Sequence, residues 1–257
     1  MVEDRFDVEG KVVIITGAGQ GIGRDYALAF AEAGAKPVLA ELNGNKLASV
    51  AAEIEARGTE CLAVETDVGS PESVDAMVAK ALEKFGKIDV LINNAALFAE
   101  LMITPIMKMS NEEWDRVMLV NARGSFQGIK AAVPSMIKNG RGKIINISSG
   151  TFYYGGPGFA NYVSSKGAIL GLTRSAAREL ADQNIHVNCI VPGFTESEGV
   201  QNHPQLDIAR APTLQSRMLK RDMMPEDLIG ALLFYASEDS DFLTGQSMNV
   251  DGGKYCQ

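Results

Sequence analysis

Four glycines within eight residues follow the first apolar run of the chain. Residues 12–15 are Val-Val-Ile-Ile, a composition typical of a strand that is covered on both faces. Residues 16–23 place glycine at positions 17, 19, 21 and 23, and residues 26–33 carry apolar side chains at helical spacing before Gly34. The segment predicts a strand, a tight turn and a helix, and the turn backbone can be approached closely because it has few Cβ atoms.

The alternation of strand and helix continues along the chain. Strand-like apolar runs recur at residues 37–40, 61–64, 88–92, 143–147, 186–191 and 247–250. Helical patterns occupy residues 47–57, 70–85, 111–136, 160–181 and a segment from 224 onward, with a break expected near Pro134. Strands that alternate with helices of this length predict an α/β fold: a parallel, doubly wound sheet of the Rossmann type with helices on both faces.

Nothing in the sequence divides the chain into separate units. A Pro/Ser-rich linker, a low-complexity segment and an internal repeat are all missing, so residues 1–257 are expected to form a single domain. The least regular stretch is 193–220, and a long irregular segment in a compact domain predicts a lid or a binding loop.

Composition narrows the classes of function. Hydrophobic residues make up 46% and the net charge is −8, which excludes wholesale disorder and disfavours nucleic-acid partners. No apolar run approaches the ~18 residues of a membrane span, and the acidic residues 1–10 lack an apolar signal region, so a soluble cytoplasmic protein is expected. Two scattered histidines and the three cysteines (Cys61, Cys189 and Cys256) predict no metal site, and Cys256 is expected to be open to oxidation.

The glycine turn and a later carboxylate together predict a nucleotide site. A diphosphate can lie against the turn and the positive N-terminus of the following helix. Glu41 ends the second predicted strand, where an acid can accept hydrogen bonds from the adenosine ribose and repel a 2′-phosphate, which favours NAD over NADP. Arg24 is the one nearby basic residue whose charge favours NADP instead. The turn by itself also fits a plain strand-to-helix connection, because Ile22 breaks the strict GxGxxG pattern.

A tyrosine and a lysine share one face of a predicted helix. Tyr162 and Lys166 are four residues apart, and a nearby ammonium group is expected to lower the pKa of the phenol from ~10. A tyrosine with such a pKa can act as a general acid or base. Ser149 ends the preceding predicted strand, so its hydroxyl is expected to face the same crevice. Most Tyr-x-x-x-Lys pairs are surface pairs, so the spacing alone does not identify a site.

These segments, with several others, are similar to those of one family. The matching pieces are the turn 16–23, Asp67-Val68, Asn93-Asn94-Ala95-Ala96, Asn121, Ser149, Tyr162 with Lys166, Pro192-Gly193 and Asp251-Gly252-Gly253. Over roughly residues 10–253 the chain resembles a classical short-chain dehydrogenase/reductase. The resemblance implies a seven-stranded parallel sheet, hydride transfer to or from a nicotinamide, and an assembly that is usually a homotetramer.

The resemblance also implies roles for individual residues. Tyr162 would be the general acid/base, Ser149 would polarise the substrate oxygen, and Lys166 would hold the nicotinamide ribose and tune Tyr162. Asn121 would anchor a water that passes protons out past Lys166. The implied cofactor contacts are Gly17, Gln20, Gly21, Ile22, Gly23, Glu41, Asp67, Val68, Asn94, Ala95, Tyr162, Lys166, Pro192, Gly193 and Thr195.

Aromatic side chains gather in the segments that build the substrate pocket in this family. Thr151, Phe152 and Tyr154 follow the fifth predicted strand, and aromatic side chains in a cleft predict a ring-bearing substrate. The alternative is that about half of the apolar residues in these segments simply pack the lid. Glu196 and Glu198 favour a polar or cationic substrate if they face the pocket, and otherwise face solvent.

Three hypotheses for function follow. Segments 150–152 and 195–200 are similar to those of pyridoxal 4-dehydrogenases and, more loosely, of 1-phenylethanol dehydrogenases. This similarity implies an NAD-dependent enzyme that interconverts a secondary alcohol or cyclic hemiacetal with its ketone or lactone, on a ring-bearing small molecule. The alternatives within the family are a 3-oxoacyl or other carbonyl reductase, or a sugar dehydrogenase. A cofactor-binding regulator without turnover is the third hypothesis, which the complete set of Asn121, Ser149, Tyr162 and Lys166 disfavours.

Overall fold

A parallel sheet forms the centre of the protein. The computed structural model describes residues 5–255, so the expectation for Cys256 and part of that for residues 1–10 lie outside the described residues. The described chain forms seven strands in the order β3-β2-β1-β4-β5-β6-β7, which confirms the predicted fold class. The strands are β1 (Val12–Thr16), β2 (Lys36–Glu41), β3 (Leu62–Glu65), β4 (Val90–Asn93), β5 (Gly142–Ile147), β6 (Ile185–Pro192) and β7 (Ser247–Val250).

Helices cover both faces of this sheet. Val13 and Ile15 of β1 pack against α1, α2 and α10, whereas Val12 and Ile14 face the side of α3, α5 and α7. Burial on both faces explains the continuous apolar run that the sequence shows there. No helix within residues 5–255 is long and apolar enough to cross a bilayer. The helices are α1 (Gly21–Glu32), α2 (Gly44–Ala56), α3 (Pro71–Phe85), α4 (Asn111–Val117), α5 (Gly124–Asn139), α6 (Thr151–Tyr154), α7 (Ala160–Leu180), α8 (Glu198–Gln201), α9 (Asp207–Ser216) and α10 (Glu226–Ala236).

The long helical segment after β4 is interrupted at a different place from the one expected. The prediction of a break near Pro134 is wrong, because α5 continues through Pro134 to Asn139. The interruption is a π-helical turn, Met118–Arg123, between α4 and α5. Such turns inside a helix often occur at functional sites, and Asn121 lies within this one.

Residues 193–220 are more regular than the sequence indicates. The expectation of an irregular stretch is wrong for α8 and α9, and Pro212 lies inside α9. Both helices are short, so they produce little hydrophobic periodicity. The segment is joined to the rest of the protein by a short parallel bridge between Thr195 and Met223 and by the contact of His203 Nε2 with the Leu101 carbonyl oxygen at 2.8 Å. Its action as a lid remains a prediction.

The carboxyl ends of the strands form a crevice. β1 pairs with β2 on one side and with β4 on the other, so the connections leave these strands in opposite directions. In doubly wound sheets this change of direction opens a crevice at the carboxyl ends of the strands, where ligands bind.

Candidate active site

The glycine turn after β1 brings backbone atoms too close together for larger residues. A Cβ at Gly23 would lie 2.0 Å from the Gly17 carbonyl oxygen, and Gly17 itself has a φ of +68°. Thr16 Oγ1 accepts hydrogen bonds from the backbone N–H groups of Asn94 and Ala95, both at 3.0 Å. The Asn94 side chain donates to the Thr16 carbonyl at 3.0 Å. These contacts fasten the turn to the end of β4.

A groove runs from this turn along the ends of β2 and β3, and we call it the glycine-loop groove. Gln20 precedes α1 without capping it through its side chain, and the first turn of α1 holds no acidic residue. The first backbone N–H groups of α1 therefore remain available to an anion, and the helix dipole adds positive charge. The cradle fits a dinucleotide. Ten of the residues expected to bind the cofactor line the groove: Gly17, Gln20, Gly21, Ile22, Gly23, Glu41, Asp67, Val68, Asn94 and Ala95.

Glu41, the last residue of β2, lines one end of the groove. Its Oε2 accepts from the Gly19 backbone N–H at 3.2 Å and its Oε1 from that of Asn43 at 3.0 Å. Arg24 is directed elsewhere, because its Nε donates to Glu53 Oε2 at 3.1 Å. Sequence reasoning missed a second base, Lys46, whose Nζ donates to the side-chain oxygen of Gln20 beside the groove. The only sequence signal for Lys46 was its position in the first turn of the helix that follows β2.

Two further groove residues follow β3. Asp67 Oδ1 accepts from the Gly69 backbone N–H at 2.8 Å, which forms a tight turn. Val68 packs against Gly124 so closely that a Cβ there would lie 3.0 Å from Val68 Cγ2. Asp67 and Val68 are thereby held at the groove wall.

Ser149, Tyr162 and Lys166 meet in a second cavity beside the groove, which we call the tyrosine cavity. Ser149 follows β5, while Tyr162 and Lys166 lie one turn apart on α7. Lys166 Nζ lies 5.7 Å from the centroid of the Tyr162 ring and donates to the Ile147 carbonyl at 2.8 Å. Ser149 Oγ accepts from the Thr151 hydroxyl at 3.0 Å, which orients the serine.

The electrostatics of the pair differ from the sequence expectation. Burial raises the pKa of Tyr162, although a hydrogen bond with Ser149 opposes the rise. Burial also lowers the pKa of Lys166 to about 8. The direction for the pKa of Tyr162 is thus opposite to the expected lowering, because loss of solvent around the phenolate is its largest cause, while the Lys166 ammonium hydrogen-bonds to the Ile147 carbonyl.

Asn121 is buried in the π-helical turn and does not line the tyrosine cavity. Its side-chain oxygen accepts from the Leu97 backbone N–H at 2.8 Å, and its Nδ2 donates to Ser165 Oγ at 3.1 Å. The backbone carbonyl oxygen of Asn121 accepts from the Ser125 hydroxyl at 3.1 Å. Asn121 thus joins the loop after β4 to α7, and its role in passing protons remains a prediction.

The segment after β6 forms one side of the tyrosine cavity. Pro192, Gly193 and Thr195 line it, as do Tyr162 and Lys166. A Cβ at Gly193 would lie 2.9 Å from Asp251 Cα, so a larger residue would displace the neighbouring strand end. The buried Thr195 hydroxyl donates to the Gly193 carbonyl at 3.1 Å.

The residues expected to contact substrate fall into two groups. Thr151 and Tyr154 line the tyrosine cavity. Phe152 does not, because its ring is 42% exposed and packs edge-on against Tyr153 at 5.5 Å. Neither Glu196 nor Glu198 lines the cavity: Glu196 is 7% exposed and its Oε2 lies 2.6 Å from Arg210 Nη1, whereas Glu198 is exposed on α8. The structure therefore does not support direct substrate contact by these three side chains.

Sequence reasoning missed part of the cavity wall. Lys254 and Tyr255, from the segment after β7, line the cavity together with Phe194. Phe98, in contrast, lies in a loop that the sequence indicated for the substrate pocket, and it lines the cavity with its ring centroid 4.7 Å from that of Tyr162. Lys254 and Tyr255 follow the last matching motif and carry no pattern of their own, so no sequence signal indicated them.

This arrangement allows a defined chemistry. A substrate oxygen can be hydrogen-bonded by Ser149 and can exchange a proton with the Tyr162 hydroxyl, which the same serine contacts. The adjoining groove has the cradle that a dinucleotide needs. Proton exchange beside a dinucleotide site is the arrangement that hydride-transfer enzymes require.

Known proteins resemble the chain over nearly its whole length. The profile of a family described as enoyl-(acyl carrier protein) reductase matches residues 17–254. A relative from Thermotoga maritima named 3-oxoacyl acyl-carrier-protein reductase FabG is 37% identical over 246 residues, which cover 96% of this chain and 98% of that protein.

Solved structures agree with this assignment. A short-chain type dehydrogenase/reductase from Mycobacterium marinum has a TM-score of 0.90 and 34% identity, with 100% of both chains covered. A putative gluconate 5-dehydrogenase from Beutenbergia cavernae with bound NADP has a TM-score of 0.89 and 31% identity over 97% and 98% of the two chains. A xylitol dehydrogenase bound to NAD+ has a TM-score of 0.89 and 32% identity over 96% and 99%. This chain therefore belongs to the short-chain dehydrogenase/reductase family and is an oxidoreductase of that family.

Proposed function

We propose that the protein is an NAD-dependent oxidoreductase that interconverts a secondary alcohol or cyclic hemiacetal and its ketone or lactone on a ring-bearing small molecule. The strongest support is the tyrosine cavity, in which Ser149 and Tyr162 lie among aromatic side chains and next to the glycine-loop groove. Aromatic walls around a few polar groups favour a ring-bearing substrate.

Three side chains carry the proton chemistry in this proposal. Ser149 hydrogen-bonds the substrate oxygen, and Tyr162 as phenolate takes the hydroxyl proton during oxidation and returns it during reduction. Lys166 lies beneath the phenol and favours its ionised form when the amine is protonated. Bound NAD supplies the hydride-accepting chemistry, and we assign its contacts to the residues lining the groove together with Pro192, Gly193 and Thr195.

The preference for NAD rests on the charges around Glu41. Its carboxylate occupies the end of the groove where an extra ribose phosphate would lie, and like charges repel. Arg24 is engaged by Glu53 and is not free to neutralise such a phosphate. Lys46 is the remaining opposing charge, and its Nζ is held by Gln20.

A reductase of acyl-carrier substrates is the second candidate. The relative from Thermotoga maritima carries that name, and its sequence aligns with nearly the whole chain. A sugar dehydrogenase of the same family is the further alternative, as the names of two structural relatives illustrate. These candidates differ in cofactor and in substrate shape, so one panel separates them.

The test is formation of reduced cofactor at 340 nm, NADH from NAD or NADPH from NADP, with 1-phenylethanol, pyridoxal, cyclic alcohols, sugars and 3-hydroxyacyl thioesters. We expect ring alcohols or hemiacetals with NAD to give the highest kcat/KM, and the Tyr162→Phe protein serves as the blank. Activity on thioesters or sugars alone, or at least about tenfold preference for NADP, would replace the proposal by one of its alternatives.

We further propose a cytoplasmic homotetramer, because this assembly is usual in the family. Trp114 on α4 and Phe126 and Ile137 on α5 remain exposed in the single chain, and they offer apolar surface for association. Light scattering at micromolar concentration should give four times the mass of the chain, and a monomer would refute this assembly.

A further inference from the structure

The residues after β7 form a short strap over the tyrosine cavity, and we call residues 252–255 the C-terminal strap. Asp251 holds this strap in place. Its Oδ1 accepts from the backbone N–H groups of Gly253 at 2.9 Å and Lys254 at 3.1 Å, and its Oδ2 accepts from that of Tyr255 at 3.0 Å. Gly252 and Gly253 have φ values of +69° and +76°, which few other residues adopt. The strap therefore has a defined conformation.

The strap places a cation against two aromatic rings at the cavity. Lys254 Nζ lies 4.7 Å from the centroid of the Tyr154 ring and 5.5 Å from that of Tyr255. The two rings are stacked, with centroids 5.9 Å apart and planes 14° apart. Lys254, Tyr154 and Tyr255 line the same cavity as Ser149 and Tyr162. An ammonium group is thus fixed close to the proposed reaction centre.

This ammonium lacks an acidic partner in the described part of the chain. Among residues 5–255, no carboxylate oxygen lies within 4.0 Å of Lys254 Nζ. Asp251 is engaged by three backbone N–H groups, and Glu196 pairs with Arg210. Burial, followed by repulsion from Arg217, lowers the pKa of Lys254. When protonated, Lys254 therefore offers the cavity a positive charge that has no carboxylate partner among the described residues, although the whole chain carries a charge of −8.

We propose that Lys254 determines substrate specificity by binding an anionic substituent, a carboxylate or a phosphate, on a ring that packs beside Tyr154 and Tyr255. This inference rests on the proposed function, because it names the class of substrate for the same cavity. A partly desolvated ammonium forms a charge-assisted contact with an anionic oxygen, and the aromatic rings supply the apolar contact for the ring. The contact places no demand on the reacting oxygen, which Ser149 and Tyr162 bind separately.

The experiment measures binding rather than turnover. Calorimetry on the protein saturated with NADH compares benzoate and phenyl phosphate with benzamide, a neutral molecule of similar shape. We expect at least one of the two anions to bind about tenfold more tightly than benzamide. Lys254→Met should abolish this preference, and Lys254→Arg should retain it. Comparison of benzoate with phenyl phosphate distinguishes the two anionic groups.

Matched controls separate the proposed contact from other effects. Lys80→Met removes an exposed charge on α3 and should leave the preference unchanged, which excludes an effect of net charge. Thermal melting of each variant verifies folding. An absence of preference in the unmodified protein, or a preference that survives Lys254→Met, would overturn the inference. If anions bind as expected but no ring alcohol is oxidised with NAD, the proposed function fails while the binding site stands.

Discussion

The glycine-loop groove and the tyrosine cavity share five lining residues, Ile22, Asn94, Ala96, Phe98 and Ser197, yet they are built from different kinds of segment. The groove is formed mainly by the segments that follow β1 to β4, and in the turn after β1 backbone atoms approach within distances that only glycine permits. The cavity is formed mainly by longer segments after β5, β6 and β7. We infer that the groove is constrained by backbone geometry, whereas the cavity depends on which side chains those segments carry.

The sharpest test of this division is Tyr162→Phe. Removal of the hydroxyl leaves the ring packing but no proton acceptor, so turnover should fall by about a thousandfold or more. NAD affinity, measured by calorimetry, should change less than about threefold, since the groove is intact. Residual turnover within tenfold of the unmodified protein would remove Tyr162 from its proposed role.

Gly23→Ala tests the glycine-loop groove. Its Cβ would lie 2.0 Å from the Gly17 carbonyl oxygen, so the turn must move and NAD affinity should fall by about a hundredfold. Gly230→Ala on α10 is the matched control, because its Cβ would meet nothing within 4 Å. That control should be neutral or stabilising by about 0.5–1 kcal/mol. Equal affinities in the two variants would contradict a groove set by backbone contact.

The pH dependence should reside in the tyrosine cavity. Because burial raises the pKa of Tyr162, the phenol is protonated at neutral pH, and oxidation requires the phenolate. The kcat/KM for oxidation should therefore rise about tenfold per pH unit from pH 6 upward, until the pH reaches the pKa of the Tyr162 phenol. Carbonyl reduction uses the protonated phenol and should stay flat across neutral pH. Initial rates at 340 nm in both directions measure this, and oxidation that slows as pH rises would contradict it.

Glu41→Ser should change cofactor choice without altering the cavity. Loss of the carboxylate removes two ribose hydrogen bonds and the repulsion of a 2′-phosphate, so the KM for NAD should rise about tenfold and the preference over NADP should shrink. Adding Lys46→Met to this variant should then weaken the binding of NADP. Glu65→Ser is the control, because Glu65 is the partner of Glu41 on β3 but does not line the groove. Unchanged NADP use in Glu41→Ser would show that another group sets the preference.

The smallest effect is expected from Glu196→Gln. Glu196 is buried and pairs with the partly exposed Arg210, so losing its charge should cost about 1–2 kcal/mol of unfolding free energy. Calorimetry should show a Tm lower by about 2–6 °C, with the KM for substrate raised more than that for NAD. Glu198→Gln removes an exposed charge from α8 and should change stability by less than about 0.5 kcal/mol. A larger loss of stability from Glu198→Gln than from Glu196→Gln would contradict the burial of Glu196 and the exposure of Glu198.

The sequence was most informative where local geometry repeats in many proteins. Strand positions were predicted to within about two residues, because short β-branched runs between helical patterns are typical of buried strands and of few other structures. The groove residues were found for the same reason, since Gly17, Gly23 and Asn94 make contacts that depend on residue type more than on distant partners.

The sequence was least informative where distant segments meet. Phe152 and Tyr154 are two residues apart in one short helix, yet only Tyr154 lines the cavity. Glu196 pairs with a side chain 14 residues later, a contact without any periodic signal. The pKa of Tyr162 depends on how completely the fold buries it, which the spacing to Lys166 does not reveal.

The anchoring of the C-terminal strap by Asp251 has a practical consequence for handling the protein. A label attached at Lys254 or Tyr255 would lie in the wall of the tyrosine cavity, because both side chains line it. The described chain starts near the amino ends of the strands, where the Phe6 backbone N–H donates to Asp239 and the neighbouring Ser240 Oγ accepts from Lys143 Nζ near the start of β5. A label attached near Phe6 would instead lie at the amino ends of the strands, opposite the carboxyl ends where the tyrosine cavity is found.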